Sequence, residues 1–527
     1  MKERSSFTNV RMVALGAALL LAGCAQSAAT VTSASAGARG EANAVTQADV
    51  ERIETILAHD SMEGRRVGTV GAAKASAFIA AEMQRIGLEP AGDNGTYFQS
   101  VAGTVQNNFA SSSSVIVDGK ALRWNVDVTA APGAVGPKPV NAVQVIFGGV
   151  TGDSVNTITA EQANGKLVVL LPRASPAVGR GAGPSPKFAG AAAIATINLD
   201  SLDARSIQLI SNPLQATSPR TTPPRAGAPP VAPQPAPAPP APQAQLRLTR
   251  AGATQLFGGM PVADLKAGAT GGTVTAQLKH AITPQPTWTR NVIGIIRGSD
   301  PKLKAEWVLI DAHYDHLGKQ VPAVNGDSVF NGADDDASGV VAVLEIARAI
   351  KAGKQPKRSM IFGAMTGEEG GLIGTNYYIA HPFVPMSSLV ANMEIEMIGR
   401  ADSLSEGRGG AWLTGYERST MGDMLKANGI RIFPDKRPSQ NFFSRSDNRA
   451  FACMGIPAHT LSTFNLHKDY HRLSDETQFV DFVHMTEVIR SGARAARILA
   501  DGAVPTWVPG GSPVGTTVCP GTRAPGS

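Results

Sequence analysis

Cysteine is scarce in this chain, with three copies in 527 residues, which excludes a small scaffold built on disulfides. Charge is scarce too. Only 17% of residues are charged, too few for a wholly disordered, highly charged polypeptide. Lys and Arg form no dense stripe and do not interleave with aromatics, so the net charge of +6 is not a nucleic-acid-binding signature. No internal run reaches the roughly 18 consecutive apolar residues that cross a bilayer. Proline is near average except in one place, where 12 of the 36 copies fall between Pro213 and Pro242. What remains is ample material for cores, at 43% hydrophobic. A single core stops growing at roughly 250 to 300 residues, so two folded units are expected.

Lys2, Arg4 and Arg11 precede a short apolar run from Met12 to Ala22, the layout of a secretory leader. The run ends in Leu21-Ala22-Gly23-Cys24. That ending resembles a bacterial lipobox, which implies cleavage before Cys24 and its acylation. On this reading residues 1–24 are a lipoprotein signal peptide and 25–45 a tether. The protein is then expected in the bacterial cell envelope, lipid-anchored on the periplasmic face of the outer membrane, or secreted. Cys453 and Cys519 remain, and both a disulfide and a buried thiol at Cys453 are compatible with such a compartment.

Thr46 followed by Asp49 signals a helix start, with Val50, Ile53 and Leu57 on one face. A second helix carries Ala75, Phe78, Ile79, Met83 and Ile86 and stops at Gly87. From 106 to 285 the texture turns β-like: Val115 to Val117 precede Asp118-Gly119, Val143, Val145 and Phe147 alternate, and Lys166 to Leu171 form an apolar run. Beyond 286, strands alternate with helices: Trp307 to Ile310, Ser338 to Ile350, Met360 to Ala364, Gly370 to Tyr378, Leu389 to Ile398. That order predicts a mostly parallel sheet sandwiched by helices, with ligands at the carboxyl ends of its strands. Residues 503–527 read as an irregular tail.

The chemistry-bearing residues follow those strands. Ala312-His313-Tyr314-Asp315-His316 comes first, and a carboxylate two residues after a histidine suits the far nitrogen of a metal-binding imidazole. Asn331-Gly332-Ala333-Asp334-Asp335-Asp336 brings three acids together, and like charges so close need a cation or protons when buried. Thr366-Gly367-Glu368-Glu369 offers one carboxylate as ligand and its neighbour as proton shuttle. Glu394 and Glu396 stand at strand period in an apolar strand. Asp469-Tyr470-His471 with Asp475 supplies another imidazole.

In this order and spacing the five blocks resemble the zinc aminopeptidases of metallopeptidase family twenty-eight, relatives of secreted bacterial leucyl aminopeptidases, glutamate carboxypeptidase and transferrin receptor. The resemblance covers residues 46–105 and 286–502, including Asp60-Ser61-Met62-Glu63-Gly64-Arg65 and Ser446-Asp447. It implies an α/β zinc exopeptidase fold and two Zn2+ ions bridged by Asp335, with His313 and Glu396 on one ion and Glu369 and His471 on the other. It further implies Glu368 as general base, Tyr470 at the oxyanion, Asp315 behind His313, Asp475 behind His471, and a cis peptide after Asp335. Many aminopeptidases of this kind carry Asp where Glu396 stands, and Glu394 is the alternative ligand at that position. Residues 106–285 resemble an inserted protease-associated domain on Gly165 to Arg173, Lys187 to Ala192 and Ile194 to Asn198, read as strand, helix and strand. The Pro/Ala-rich stretch 213–245 is then a loop within it.

The activity implied is hydrolysis of peptide bonds from the amino end. The alternatives are a carboxypeptidase of the same fold, with Arg445 or Arg449 as carboxylate clamp, a single-zinc glutaminyl cyclase, and a non-catalytic binding protein like transferrin receptor. Peptides are the expected partners, with the bacterial membrane reached through the lipid anchor, no nucleic acid, and no oligomeric state specified.

Overall fold

The computed structural model describes residues 44–101, 104–109, 112–130, 136–172, 186–202, 214–216, 242–284 and 288–519. The leader with Cys24, the tether up to residue 43, residues 217–241 of the Pro/Ala-rich stretch and residues 520–527 of the tail lie outside them.

Helix α1 spans Gln47–Leu57 and α2 spans Val70–Ile86. The Asp49 N–H donates to the Thr46 hydroxyl at 3.2 Å. Val45 and Val50 join the same core on either side of that cap, which fixes the angle at which the chain enters the helix. Val45 is wholly buried and so belongs to this core, although it falls within the 25–45 span expected as a tether. Helix α2 closes on Gly87 at φ 82°, a left-handed position where a side chain would be strained.

The central sheet contains β1 Arg290–Ile296, β2 Trp307–His313, β3 Ser359–Met365, β4 Leu389–Glu396, β5 Ala411–Leu413, β6 Ile432–Pro434 and β7 Ala458–Ser462. Their spatial order is β1, β3, β2, β4, β7, β5, β6, with Glu89–Pro90 and Phe98–Ser100 also pairing to β1. The middle strands β3, β2, β4 and β7 are parallel to one another. Antiparallel pairs flank them, β1 on β3 and β5 on β7. Parallel neighbours need a crossover, and here α3 Ser338–Ala352 links β2 to β3 while α4 Ile373–Ala380 links β3 to β4.

Side chains of β2 divide between two cores by strand period. Val308, Ile310 and Ala312 face the core shared with α1, α2, α3 and the last helix, Phe482–Asp501, while Trp307 and Leu309 face the core of Tyr378 and Phe451. Each fully buried side chain of this size contributes about 1.5–3 kcal/mol. Cover on both faces explains why these strands read as unbroken apolar runs.

Strands Thr104–Phe109 and His280–Pro284 pair antiparallel and bracket a second, eight-stranded sheet. The expected alternation at Val143, Val145 and Phe147 is only partly realised, because Val145, Ile146 and Phe147 are all buried. This sheet is also covered on both sides, with Val145 and Phe147 in one core and Ile146 in another. At the two ends of the stretch 213–245, where a loop was expected, Leu214–Ala216 and Ala244–Leu248 are strands. Ala244, Leu246 and Leu248 are buried in alternation, which gives the second of these a packing reason. Between Leu167–Leu171 and Ala193–Ile197, which pair in parallel, the described residues hold one short 3-10 turn at Pro186–Phe188 where a helix was expected.

After Asp501 no helix or extended strand occurs among the described residues. The tail is nevertheless fastened. Trp507 Nε1 donates to Gly455 O at 2.8 Å, Arg449 Nη2 donates to Val518 O at 2.8 Å, and Cys453 and Cys519 form a disulfide with Cα atoms 5.5 Å apart. The two cysteines therefore pair. No helix among the described residues is long and apolar enough to cross a membrane.

Candidate metal centre

His313 is the last residue of β2, and its Nδ1 lies 3.1 Å from the backbone oxygen of Asp315. A carbonyl only accepts, so Nδ1 carries the hydrogen and Nε2 keeps its lone pair. That nitrogen stands 3.4 Å from Asp335 Oδ1 and 3.9 Å from Glu396 Oε1. The expectation that the Asp315 carboxylate holds the imidazole is corrected: its Oδ1 is 3.9 Å from Nδ1 and instead accepts from the N–H groups of Gly367 at 2.7 Å and Glu368 at 3.1 Å. Asp315 thus orients His313 through its main chain and the glutamate turn through its side chain.

The three acids before α3 divide their work. Asp334 accepts from Gly399 N at 2.6 Å and lies 2.9 Å from His467 Nε2. Asp336 accepts from Gly339 N and Met397 N, both at 3.0 Å, tying the start of α3 to the end of β4. Gly339 has to be glycine, because a Cβ would come 2.2 Å from Ile395 O. Asp335 is left facing the cluster, and its peptide bond to Asp336 is cis. Asp475 accepts from Asp334 N at 3.1 Å and Asp335 N at 3.0 Å, so its support reaches the cluster through this loop.

Glu369 and His471 meet Asp335 from other loops. His471 Nε2 is 3.0 Å from Asp335 Oδ2 and 3.3 Å from Glu369 Oε1. His471 sits at φ 56°, a region non-glycine residues rarely occupy and one found at functional sites. Glu368 is buried beside Glu369, and its charge bears on both His313 and Glu396. Glu394, the alternative ligand, is engaged elsewhere: it accepts from Ser446 Oγ at 2.5 Å, Thr460 Oγ1 at 2.7 Å, Asn448 N at 2.9 Å and Asp447 N at 3.1 Å. Four donors satisfy that carboxylate.

Sequence reasoning missed two buried groups. Arg65 donates to Tyr314 O, Leu57 O and Gly332 O at 2.8 Å and to Asn331 O at 2.6 Å, clamping both loops that carry the histidine and aspartate blocks. His316 places Nδ1 3.1 Å from Glu369 Oε1 and 3.8 Å from Asp335 Oδ2. Its signal was present as a second histidine three residues after His313.

The donor set suits a cation. His313, Asp335 and Glu396 form one group of mutually close ligand atoms, and His316, Asp335 and Glu369 another. Burial pushes the Glu396 carboxyl up to about 8, with Glu394 acting in the same direction, so packing these acids together is costly without positive charge. Imidazole and carboxylate ligands are those that zinc takes. Beside the cluster runs a cleft lined by Glu396, Trp412, Phe442, Arg445, Phe464 and Tyr470. Arg445 Nη2 donates to Tyr470 Oη at 3.2 Å, while Arg449 is turned to Val518 as described.

Buried imidazoles and carboxylates thus meet at the carboxyl ends of parallel strands as a candidate site for a divalent cation. Residues 291–493 match Peptidase family M28. The fold matches an aminopeptidase from Aneurinibacillus sp. strain AM-1, with TM-score 0.54 and 16% identity over 90% of this chain and 98% of that one. It also matches BSAP, a zinc aminopeptidase from Bacillus subtilis, with TM-score 0.53 and 16% identity over 87% and 96%. A curated relative, the vacuolar membrane protease of Lachancea thermotolerans, is 25% identical over 40% of this chain and 20% of its own length. A probable zinc metalloprotease of Pyrenophora tritici-repentis is 34% identical over 20% and 22%. The chain spans about a fifth of the length of these curated relatives. The expected bacterial-envelope location is corrected by these matches, since vacuolar membrane proteases of the fungi Lachancea thermotolerans and Candida dubliniensis stand among the relatives.

Proposed function

We propose that this chain hydrolyses peptide bonds with two zinc ions and releases residues from the amino end of peptides. The observation that carries the reading is the meeting of His313, Asp335, Glu369, Glu396 and His471 at one end of the parallel strands, with Glu368 beside them. In this assignment Asp335, His313 and Glu396 would hold one ion, and Asp335, Glu369 and His471 the other. When bound, zinc acidifies water and polarises a carbonyl. Glu368 accepts the proton of the attacking water and returns it to the leaving amine, so that one carboxylate serves both halves of the reaction. Tyr470, held by Arg445, donates a hydrogen bond to the oxyanion as it forms.

Four carboxylates around two divalent ions leave no excess positive charge, and Glu394 and Asp447 lie buried behind them. Such a field favours a substrate amine over a carboxylate. Arg445 on the cleft is the observation that favours the second reading, carboxypeptidase action, since a guanidinium clamps carboxylates. The insert is proposed to be a protease-associated domain beside the site, without a part in the chemistry. The test compares a free-amine aminoacyl anilide, its N-acetylated twin, and an amino-blocked peptide with a free carboxyl end. Cleavage of the free-amine substrate alone is expected; cleavage of only the blocked peptide would reverse the assignment.

A further inference from the structure

Around Asp335 the two groups of ligand atoms hold three residues each and differ in exposure, and His471 stands beside the second, against the Asp335 and Glu369 carboxylates. On the His313 side stand three residues, and the Glu396 side chain keeps 22% of its surface exposed to the cleft. On the other side Glu369 and His471 are 3% and 1% exposed, and His316 is wholly buried with them. Neither ring nitrogen of His316 makes a hydrogen bond, although a buried polar group normally finds a partner. Its Nδ1 is 3.1 Å from Glu369 Oε1 and 3.8 Å from Asp335 Oδ2, while His471 Nε2 is 3.3 Å and 3.0 Å from those same two atoms. Atoms bound at about 2.0–2.1 Å around one tetrahedral ion stand about 3.3 Å apart, and these four separations bracket that value. The imidazole reaches this place because Gly332, at φ 56°, has no Cβ; one built there would come within 2.5 Å of the ring.

We infer that His316 is a direct ligand of the second zinc, giving that ion four protein ligands, His316, Asp335, Glu369 and His471, while the ion on His313 and Glu396 keeps an open position toward the cleft. The inference rests on the two-zinc reading. It makes the pair unequal: a closed set of four is the hallmark of a structural zinc, and three plus an open place that of a catalytic one. The enclosed ion is then the tighter and slower to leave, and its work is to hold Asp335, Glu369 and His471 in register.

The test titrates zinc into metal-stripped full-length protein against a chromophoric chelator, for the parent and for His316→Asn and His316→Ala, with circular dichroism confirming the fold. Loss of a ligand should exceed the effect of losing an outer partner, about 10- to 100-fold in affinity. The tighter step is therefore expected to weaken more than about 100-fold, with the weaker step nearly unchanged. Because a buried site can reject a substitution, the structure of the zinc-loaded parent is the second measurement, with His316 Nδ1 expected about 2.0–2.1 Å from the enclosed ion. Unchanged stepwise affinities in a folded variant, or an imidazole turned away from the ion, overturn the inference and leave the peptidase reading standing. Zinc ligation by His316 without cleavage of any peptide substrate sinks the peptidase reading and leaves the ligand assignment intact. A parent that binds no zinc overturns both.

Discussion

The two sheets of this molecule treat buried charge in opposite ways. Between residues 104 and 284 the described residues bury only Ser113, Asp127 and Thr129 among polar side chains, and Asp127 is answered at once by Arg123 at 2.8 Å. The central sheet buries Asp311, His313, Asp315, His316, Asp334, Asp335 and Asp336 around the ends of two neighbouring strands. Desolvating an ion costs several kcal/mol unless partners or a cation answer it. A sheet that only packs avoids that cost, and one that concentrates it is built around something that repays it.

The largest expected effect falls on chemistry. Glu368→Gln keeps the shape and removes the proton acceptor, so kcat should fall by about 10²- to 10⁴-fold, with zinc content and melting temperature unchanged; near-normal turnover would mean the general base lies elsewhere. Next comes Arg65→Met, which strips four carbonyls of their donor and leaves the buried Glu54 without its neighbouring cation. We expect a loss of roughly 3–5 kcal/mol in urea unfolding, and a loss under 1 kcal/mol would show that water replaces the clamp. In the insert, Leu246→Ala should cost about 2–5 kcal/mol while kcat on a dipeptide anilide stays within about twofold of the parent. A proportional fall in kcat in the folded variant would show that the two sheets are not separable in function. The smallest effect is expected at Glu89→Gln, whose partner Arg297 is 57% exposed on the same central sheet. There the change should stay within about 0.5 kcal/mol; a larger one would mean that exposed acids on this sheet also matter.

Much of this was legible from local signals. The cap at Thr46, the stop at Gly87 and the two-sided apolar strands follow from neighbours in sequence, and so does the placing of candidate ligands just after strands. Groups satisfied by distant chain were not legible. Nothing near Glu394 announces Ser446 and Thr460 as its donors, and nothing near Arg65 announces carbonyls some 250 residues on. Asp315 misled for a subtler reason: spacing places a residue near a histidine but does not say whether its main chain or its side chain makes the bond. The antiparallel flank at β5 escaped because that strand is three residues long and carries no period.

The insert begins and ends on one strand pair, with Val105 opposite Pro284. Its two ends therefore stand one strand spacing apart, about 4.8 Å, so the central sheet meets the insert as a closed parenthesis. A passage of this kind can lengthen, shorten or be exchanged for another without shifting the register of any strand that carries a ligand. The second sheet can thus change while the strands that carry the candidate ligands keep their places.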